Sequence, residues 1–313
     1  MSVNSELELR LASNDEQRAA HANCHDVWSM GMPLDAHVER RMTSAMHQRA
    51  RWYVGLCEGH VVTGLGCHPT LFSVRGAATP GIAIASVHTL SSHRGRGFAP
   101  RLIEFVEREE RAAGARLSVL FSDVGVPYYA QMGYRACPAH RAGAETPPQV
   151  AVVLRNLKLQ PATVAEYLPV MQELHATLCR ESPLYFVRTR EYARQLTQRY
   201  PSDQCLLLMD GGEAVGYLQV ALRPNLLLIR DLGVRDDATH LRRAMYELIF
   251  DRAQQLGLAR VEGWLPRDYD TTEYFYVAAR PQEITMFKPL DKSVVLDEAC
   301  LAAADRVCEI DHV

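Results

Sequence analysis

Two kinds of residue capable of chemistry stand close together in this 313-residue chain. The first is a short basic turn, Ser91-Ser-His-Arg-Gly-Arg-Gly-Phe-Ala99. Gly95 and Gly97 lack a Cβ, so the backbone there can bend tightly and come close to a ligand. A helix beginning at the turn leaves its first amide N–H groups unpaired, and its dipole favours an anion. A pyrophosphate at that position would be held by backbone donors, and Arg94 and Arg96 add charge in a form that suits phosphate. The second kind is a set of groups that can move protons. His88 lies just before the turn, Asp123 ends the next apolar run, and Tyr129 follows in Pro127-Tyr-Tyr-Ala-Gln-Met-Gly-Tyr134. A phenol is in its donor form at neutral pH.

The elements around these residues follow from their pattern. Gly81-Ile-Ala-Ile-Ala-Ser-Val-His-Thr-Leu90 reads as a strand and Pro100 to Ala113 as a helix, closed by Gly114. That helix places Leu102, Phe105, Val106 and Ala113 near one face and leaves Glu104, Glu107, Arg108 and Glu110 polar. Leu117 to Ser122 reads as a second strand leading into Asp123, with a tyrosine-bearing helix after it. Strand, anion-accepting turn, helix, strand and tyrosine helix make a unit that can hold a phosphorylated cofactor beside a reacting centre.

The spacing Arg94-x-x-Gly97-x-Ala99 resembles the R/Q-x-x-G-x-G/A pyrophosphate loop of the GNAT N-acetyltransferase superfamily, and Tyr128-Tyr-Ala-Gln-Met-Gly-Tyr134 resembles its F/Y-Y-x-x-x-G-F/Y segment. The resemblance implies an α/β (α+β) GNAT fold, a mixed and mostly antiparallel sheet flanked by helices. It implies an N-acetyltransferase with acetyl-CoA as acyl donor and no metal. It assigns cofactor binding to Val87, Thr89, Arg94, Gly95, Arg96, Gly97, Phe98 and Ala99, with backbone groups of Val87 and Thr89 on the pantetheine and acetyl carbonyl. Tyr129 matches the family's tyrosine and becomes the general acid to the departing thiolate; Tyr128 and Tyr134 are expected to pack. Asp123 could bind the acceptor ammonium, assist its deprotonation through water, or simply cap the next helix. His88 could serve as base, although strand alternation would bury it. Leu117-Ser-Val-Leu-Phe-Ser-Asp-Val124 with Tyr128-Tyr129 resembles the fungal-type lysine N6-acetyltransferase group, and Val87-His-Thr89 is compatible with it.

Composition bounds the remaining possibilities. The length suits two domains. No apolar run is long enough to span a bilayer, and Met1 to Glu6 has no basic region followed by an apolar one. The eight cysteines show no metal or C-x-x-C spacing, so free thiols in a cytoplasmic setting are expected. Residues 1–158 carry 17 Lys and Arg against 14 Asp and Glu, whereas the remainder carries 17 against 23, so the first part suits an anionic cofactor better. No long basic stripe exists. The expected partner is a small-molecule amine, with neither nucleic acid nor membrane; a homodimer is left open.

In chain order, Leu7 to Leu11 alternates as a strand, and Ser13 to Gln17 is a helix start. Helices are expected over most of Asp15–Trp28 and Leu34–Gln48, where Trp28, Met30 and Met32 could line an acceptor pocket or pack in the core. Trp52–Cys57 and Val61–Cys67 read as a hairpin, Pro69–Thr79 as a connection, Ala136–Pro148 as loop and Val150–Leu154 as a closing strand. The boundary is placed after Lys158, giving a catalytic domain over 1–158 and a degenerate GNAT-like domain over 159–313. The second part repeats the order: helix Val164–Leu178, hairpin Cys205–Val220, strand Leu226–Val234, helix Leu241–Gln255 and strand Arg260–Trp264. Where the first part has Arg94-Gly-Arg-Gly97, the second has Arg235-Asp-Asp-Ala-Thr-His240, without glycine and with the wrong charge for pyrophosphate. Glu283 to Asp291 resembles the closing segment of tandem GNAT proteins. A non-catalytic acyl-CoA sensor, or acetylation of a protein amine, is the alternative function.

Overall fold

The computed structural model describes residues 6–145 and 156–313. Strand β1 is Glu8–Leu11. Ser13 then forms a capping box with Glu16, which satisfies two otherwise unpaired N–H groups and starts helix α1, Asn14–Asn23. Three more helices follow: α2 His25–Trp28, α3 Leu34–Thr43 and α4 Ala45–Arg49. Strands β2, Arg51–Cys57, and β3, His60–Val74, join through Glu58-Gly59, both at positive φ (52° and 78°) as a two-residue hairpin turn requires.

The Pro69–Thr79 stretch, expected as a connection, is instead strand. β3 continues to Val74, turns at Arg75-Gly76 and returns as β4, Ala77–Thr89. Pro69 is tolerated because it falls between two pairings of the far edge of β3. Pairing with β2 ends at Cys67, and pairing with a later strand begins at Phe72.

Helix α5 (Phe98–Ala112), strand β5 (Leu117–Ser122) and helix α6 (Val126–Ala130) complete the central unit. Glu107 and Glu110, placed on the polar side of α5, are buried. Glu110 accepts from the Tyr53 hydroxyl (2.7 Å) and Arg51 Nε (2.6 Å); Glu107 accepts from the Tyr134 hydroxyl (2.8 Å) and pairs with Lys288. The Ala136–Pro148 stretch, expected as loop, contains β6 (Arg135–Ala136) and β7 (His140–Ala144). The expected Val150–Leu154 strand lies outside the described residues.

The later elements are β8 Leu157–Pro161, α7 Val164–Leu178, β9 Leu184–Phe186, α8 Arg190–Arg199, β10 Gln204–Asp210, β11 Glu213–Arg223, β12 Leu226–Val234, α9 Thr239–Gln255, β13 Arg260–Gly263, α10 Tyr269–Tyr274, β14 Tyr276–Ala279, β15 Ile284–Pro289 and α11 Glu298–Ala303. Thr163 and Glu166 repeat the capping box at the start of α7.

The strands form two sheets with matching orders. The first runs β1-β2-β3-β4-β5-β15-β6, with β9 on β3; the second runs β8-β10-β11-β12-β13-β7-β14. Each has one parallel pair, β4 with β5 and β12 with β13. The sixth place in each sheet is filled from the other part of the chain. β15 lies antiparallel to β5, and β7 lies antiparallel to β13. A boundary after Lys158 therefore takes β15 and β9 from the first sheet and β7 from the second, because the β5 and β13 edges are completed only by strands distant in sequence. Met286 and Phe287 of β15 are fully buried, with Phe287 packed on Phe72 and Phe186.

The exchange predicts one cooperative unit. Residues 1–158 produced alone should not fold, since the open edge of β5 would expose strand hydrogen-bonding groups and core. Phe287→Ala in the full chain should cost roughly 3–5 kcal/mol. Circular dichroism melts would check both, and a cooperatively folded 1–158 fragment would contradict the first.

Three buried histidines add a pH dependence. Burial is the main cause lowering His21 to about 3, His47 to about 2 and His68 to about 3. An unfolded chain takes up these protons near the ordinary histidine value, whereas the folded protein does not. Stability is thus complete above that value and falls with pH below it, by up to about 1.4 kcal/mol per proton per pH unit. Denaturant melts at pH 7.5 and 5 should differ accordingly.

Candidate active site

β4 and β5 pair in parallel only from Gly81 with Leu117 to Ile84 with Leu120. Beyond Ile84 the β4 backbone leaves β5, while Phe121 and Ser122 keep only their β15 partners on the opposite edge. A parallel pair that parts at its C-terminal end opens a crevice, the usual place for a ligand in such sheets. Val87 and Thr89 belong to the part of β4 that has lost its β5 partner.

The pairing of β4 with β3 slips in the same region. Gly66 faces Ala85 and Gly64 faces His88, so Ser86 and Val87 together oppose Leu65. Ser86 has φ +52°, the mark of a bulge. The extra residue reverses the alternation. Val87 joins Ile82 and Ile84 in the cluster under α5, and His88 turns to the other face, 6.2 Å from the Trp28 ring. His88 is therefore half-buried beside α2 and not in the core under α5. Burial first, and then the Arg94 charge, lower its pKa, so it stands neutral, as a base must.

At the end of β4 the turn has the form its residues imply. Gly95 (φ 77°) and Gly97 (φ 72°) both adopt the left-handed conformation, and a Cβ on either would meet nothing within 4 Å. Gly97 is the N-cap of α5 and has no side chain to satisfy the helix start. The helical ladder begins with Arg101 N–H on Gly97 C=O (3.2 Å). Among the described residues nothing accepts from the amides of Phe98 and Ala99, and Pro100 has none. Arg94, Gly95, Arg96 and Gly97 are exposed, and Arg94 Nε is tied back to the Thr89 carbonyl (3.0 Å). Phe98 differs from its neighbours. Its ring is buried with Leu7, Cys57 and Val62, so it anchors the turn and can offer a ligand only its backbone. This open, cationic helix start fits a pyrophosphate.

Tyr129 lies on α6, 8% exposed, in the same cluster as Val87. Its ring meets those of Tyr128 (4.9 Å) and Tyr134 (6.1 Å) edge to face. Burial, with smaller contributions from Tyr128 and Asp123, raises its pKa well above the ordinary phenol value, so it keeps its proton. Its hydroxyl has no partner among the described residues. Tyr134, by contrast, is committed to Ser118 (2.7 Å) and Glu107 (2.8 Å) and is structural. Asp123 is exposed and caps no helix, since α6 starts from Gly125 without a side-chain cap. Instead its Oδ1 accepts the Glu283 N–H (3.2 Å) at the entry to β15.

Helices α1 to α3 wall the other side. Trp28 is half-buried, whereas Met30 is 86% exposed and packs in no core. Sequence reasoning missed Arg41. It is 6% exposed, under Trp28 and bonded to Ser86 Oγ (2.8 Å). The available signal was its phase: Leu34, Val38 and Arg41 run at i, i+4 and i+7, so the arginine continues an apolar stripe.

The corresponding crevice of the second sheet is filled. Parallel pairing of β12 and β13 ends at Ile229 with Gly263, and a register slip recurs at Arg230. There Arg188 is buried between Asp231 and Asp311 (2.8 Å), and Arg230 between Asp203 (2.8 Å) and Glu309 (2.5 Å). Before α9, Asp236 and Asp237 both have φ 51°, and Asp237 pairs with Arg242 and Arg306 (2.9 Å). Carboxylates stand where the first half has open amides.

No curated protein matches the sequence. Among solved structures, a GCN5-related N-acetyltransferase from Anabaena variabilis superposes with TM-score 0.73 at 19% identity, over 91% of this chain and 73% of that one. Another from Kribbella flavida gives 0.72 at 17%, over 93% and 73%. Saccharomyces cerevisiae N-myristoyltransferase with bound myristoyl-CoA gives 0.60 at 11%, over 98% and 90%. At these identities the likeness establishes the fold, two GNAT-like halves of mixed α/β structure. The family model described as "Acetyltransferase (GNAT) domain" matches residues 8–137, the segment that contains the open turn, His88, Asp123 and Tyr129. Residues 8–137 of this chain are thus similar to a GNAT acetyltransferase domain.

Proposed function

We propose that the chain transfers an acetyl group from acetyl-CoA to a primary amine of a small molecule, by direct attack of the amine on the thioester. The observation that carries this reading is the meeting, at the splayed end of β4, of a glycine turn with unpaired amides and a tyrosine whose hydroxyl has no partner. Acetyl-CoA, when bound, supplies an acyl carbon with a thiolate leaving group. The Phe98 and Ala99 amides, with Arg94 and Arg96, hold its pyrophosphate, and the free edge of β4 at Val87 and Thr89 holds the pantetheine and carbonyl. His88, kept neutral, takes a proton from the acceptor ammonium, and Asp123 adds attraction for that cation. As the new C–N bond forms and the C–S bond breaks, Tyr129 gives its proton to sulfur, and the proton that the nitrogen sheds on becoming an amide returns through water to the Tyr129 phenolate. The filled crevice of the second half leaves it the tasks of shaping the acceptor side and lending β15.

The test uses the full chain, because the sheets share strands. Acetyl-CoA is mixed with a panel of amines beginning with L-lysine, and released thiol is measured. Amine-dependent release, with a single acetyl-CoA bound per chain by calorimetry, is expected. Tight binding without release from any amine would favour an acyl-CoA sensor instead. A preference for longer acyl chains in the same assay would correct the donor.

A further inference from the structure

Arg41 is a buried cation with no anion. Its Nε donates to His21 Nδ1 (3.2 Å) and its Nη2 to Ser86 Oγ (2.8 Å), while Nη1 donates to nothing among the described residues. Its guanidinium carbon sits 5.5 Å from the Trp28 ring. Among the described residues no carboxylate is paired with it, and its nearest ionisable neighbours are a buried thiol, Cys24, and further bases. His21 is itself held neutral, mainly by burial and then by the Arg41 charge. Three other buried arginines are treated differently: Arg188, Arg230 and Arg242 each hold at least two carboxylates, whereas Arg280, also without a carboxylate among the described residues, rests on the Trp264 ring at 3.4 Å. A buried charge left alone is costly, so one kept without a counter-ion points to an anion that arrives with a ligand.

Its position says which ligand. Ser86 is the bulge residue, one before Val87 and two before His88, and the bulge turns Ser86 and His88 toward α1 to α3. An anion on Arg41 therefore lies on the acceptor side of the crevice, beside the neutral His88 and away from the pyrophosphate turn. A guanidinium presents a planar fork of donors that matches a carboxylate. Resting on the acetyltransferase reading above, we propose that Arg41 binds a carboxylate of the acceptor, so that the amine acetylated belongs to an amino acid.

The experiment compares L-amino acids with their amides, beginning with L-lysine and L-lysinamide, as acceptors for wild type and Arg41→Gln. Thiol release gives kcat/KM, and calorimetry on the CoA-loaded protein gives acceptor affinity. Wild type should favour each accepted acid over its amide by about 10-fold or more. Arg41→Gln should lower kcat/KM for the acid by roughly 10- to 10²-fold, the scale of a charged hydrogen bond. The amide should change by less than about 3-fold on the same scale, with acetyl-CoA affinity unaltered. Equal use of acid and amide by wild type, or an equal loss for both in the variant, would overturn the proposal. If Arg41→Gln does not fold, Ser86→Ala keeps the guanidinium but frees it, and should raise KM for the acid alone; no such split would also overturn the proposal. Acid-selective binding without any turnover would sink the acetyltransferase reading and leave the carboxylate site standing.

Discussion

Gly97→Glu should abolish acetyl-CoA binding in a protein that still folds. Gly97 holds φ 72° as the N-cap of α5. Any L-residue there costs about 1–2 kcal/mol, which an ordinary domain survives. An added Cβ meets nothing within 4 Å, so no core is disturbed. The carboxylate, however, would occupy the space in front of the Phe98 and Ala99 amides and satisfy the donors a pyrophosphate would use. Displacement, repulsion and competition act in one direction, so the Kd should rise by at least about 10²-fold, nearly 3 kcal/mol. Calorimetry and a melting curve on one preparation would check this. An unchanged Kd in a folded variant would remove the turn from the cofactor site. Gly97→Ala is the control. It pays the same backbone cost without the charge and should bind within a few-fold of wild type.

Tyr129→Phe should lower turnover by roughly 10²-fold or more, the usual scale for a lost general acid. The ring remains to pack in the cluster with Val87, and the lost hydroxyl had no partner within the described chain, so stability should hardly change. Acetyl-CoA affinity should also hold, because the turn supplies the anchoring. Tyr134→Phe makes the opposite pattern. Its hydroxyl serves Ser118 and Glu107 in the interior, and its loss should cost about 1–3 kcal/mol of stability with little effect on turnover. The pH profile adds an independent check. Burial keeps the Tyr129 proton on above the ordinary phenol value, so no alkaline fall in kcat should arise from it below pH 10. On the acid side, activity should rise with pH as His88 loses its proton, below the ordinary histidine value. Wild-type turnover in Tyr129→Phe would leave water or another group to protonate the thiolate.

Much of this protein is determined by signals that reach only a few residues along the chain. A turn residue, a cap or a hydrophobic period acts on its own neighbourhood, so Ser13 and Thr163 set helix starts, Glu58-Gly59 sets a hairpin, and Arg94 to Ala99 sets a glycine turn that leaves a helix start open. The order of elements, and hence the fold class, follows from those signals. Pairing between distant strands does not. Which strand completes β5 depends on edge hydrogen bonds and on burial of Met286 and Phe287, energies that exist only once both halves are present. The same holds for Glu107 and Glu110, charged in sequence and yet buried, because Tyr53, Arg51, Tyr134 and Lys288 reach them from other strands. It holds for His88, whose face is decided by a one-residue slip against β3 at Ser86. It holds for Arg41, one of two adjacent arginines in sequence, whose isolation from any carboxylate is visible only when the groups around it are assembled.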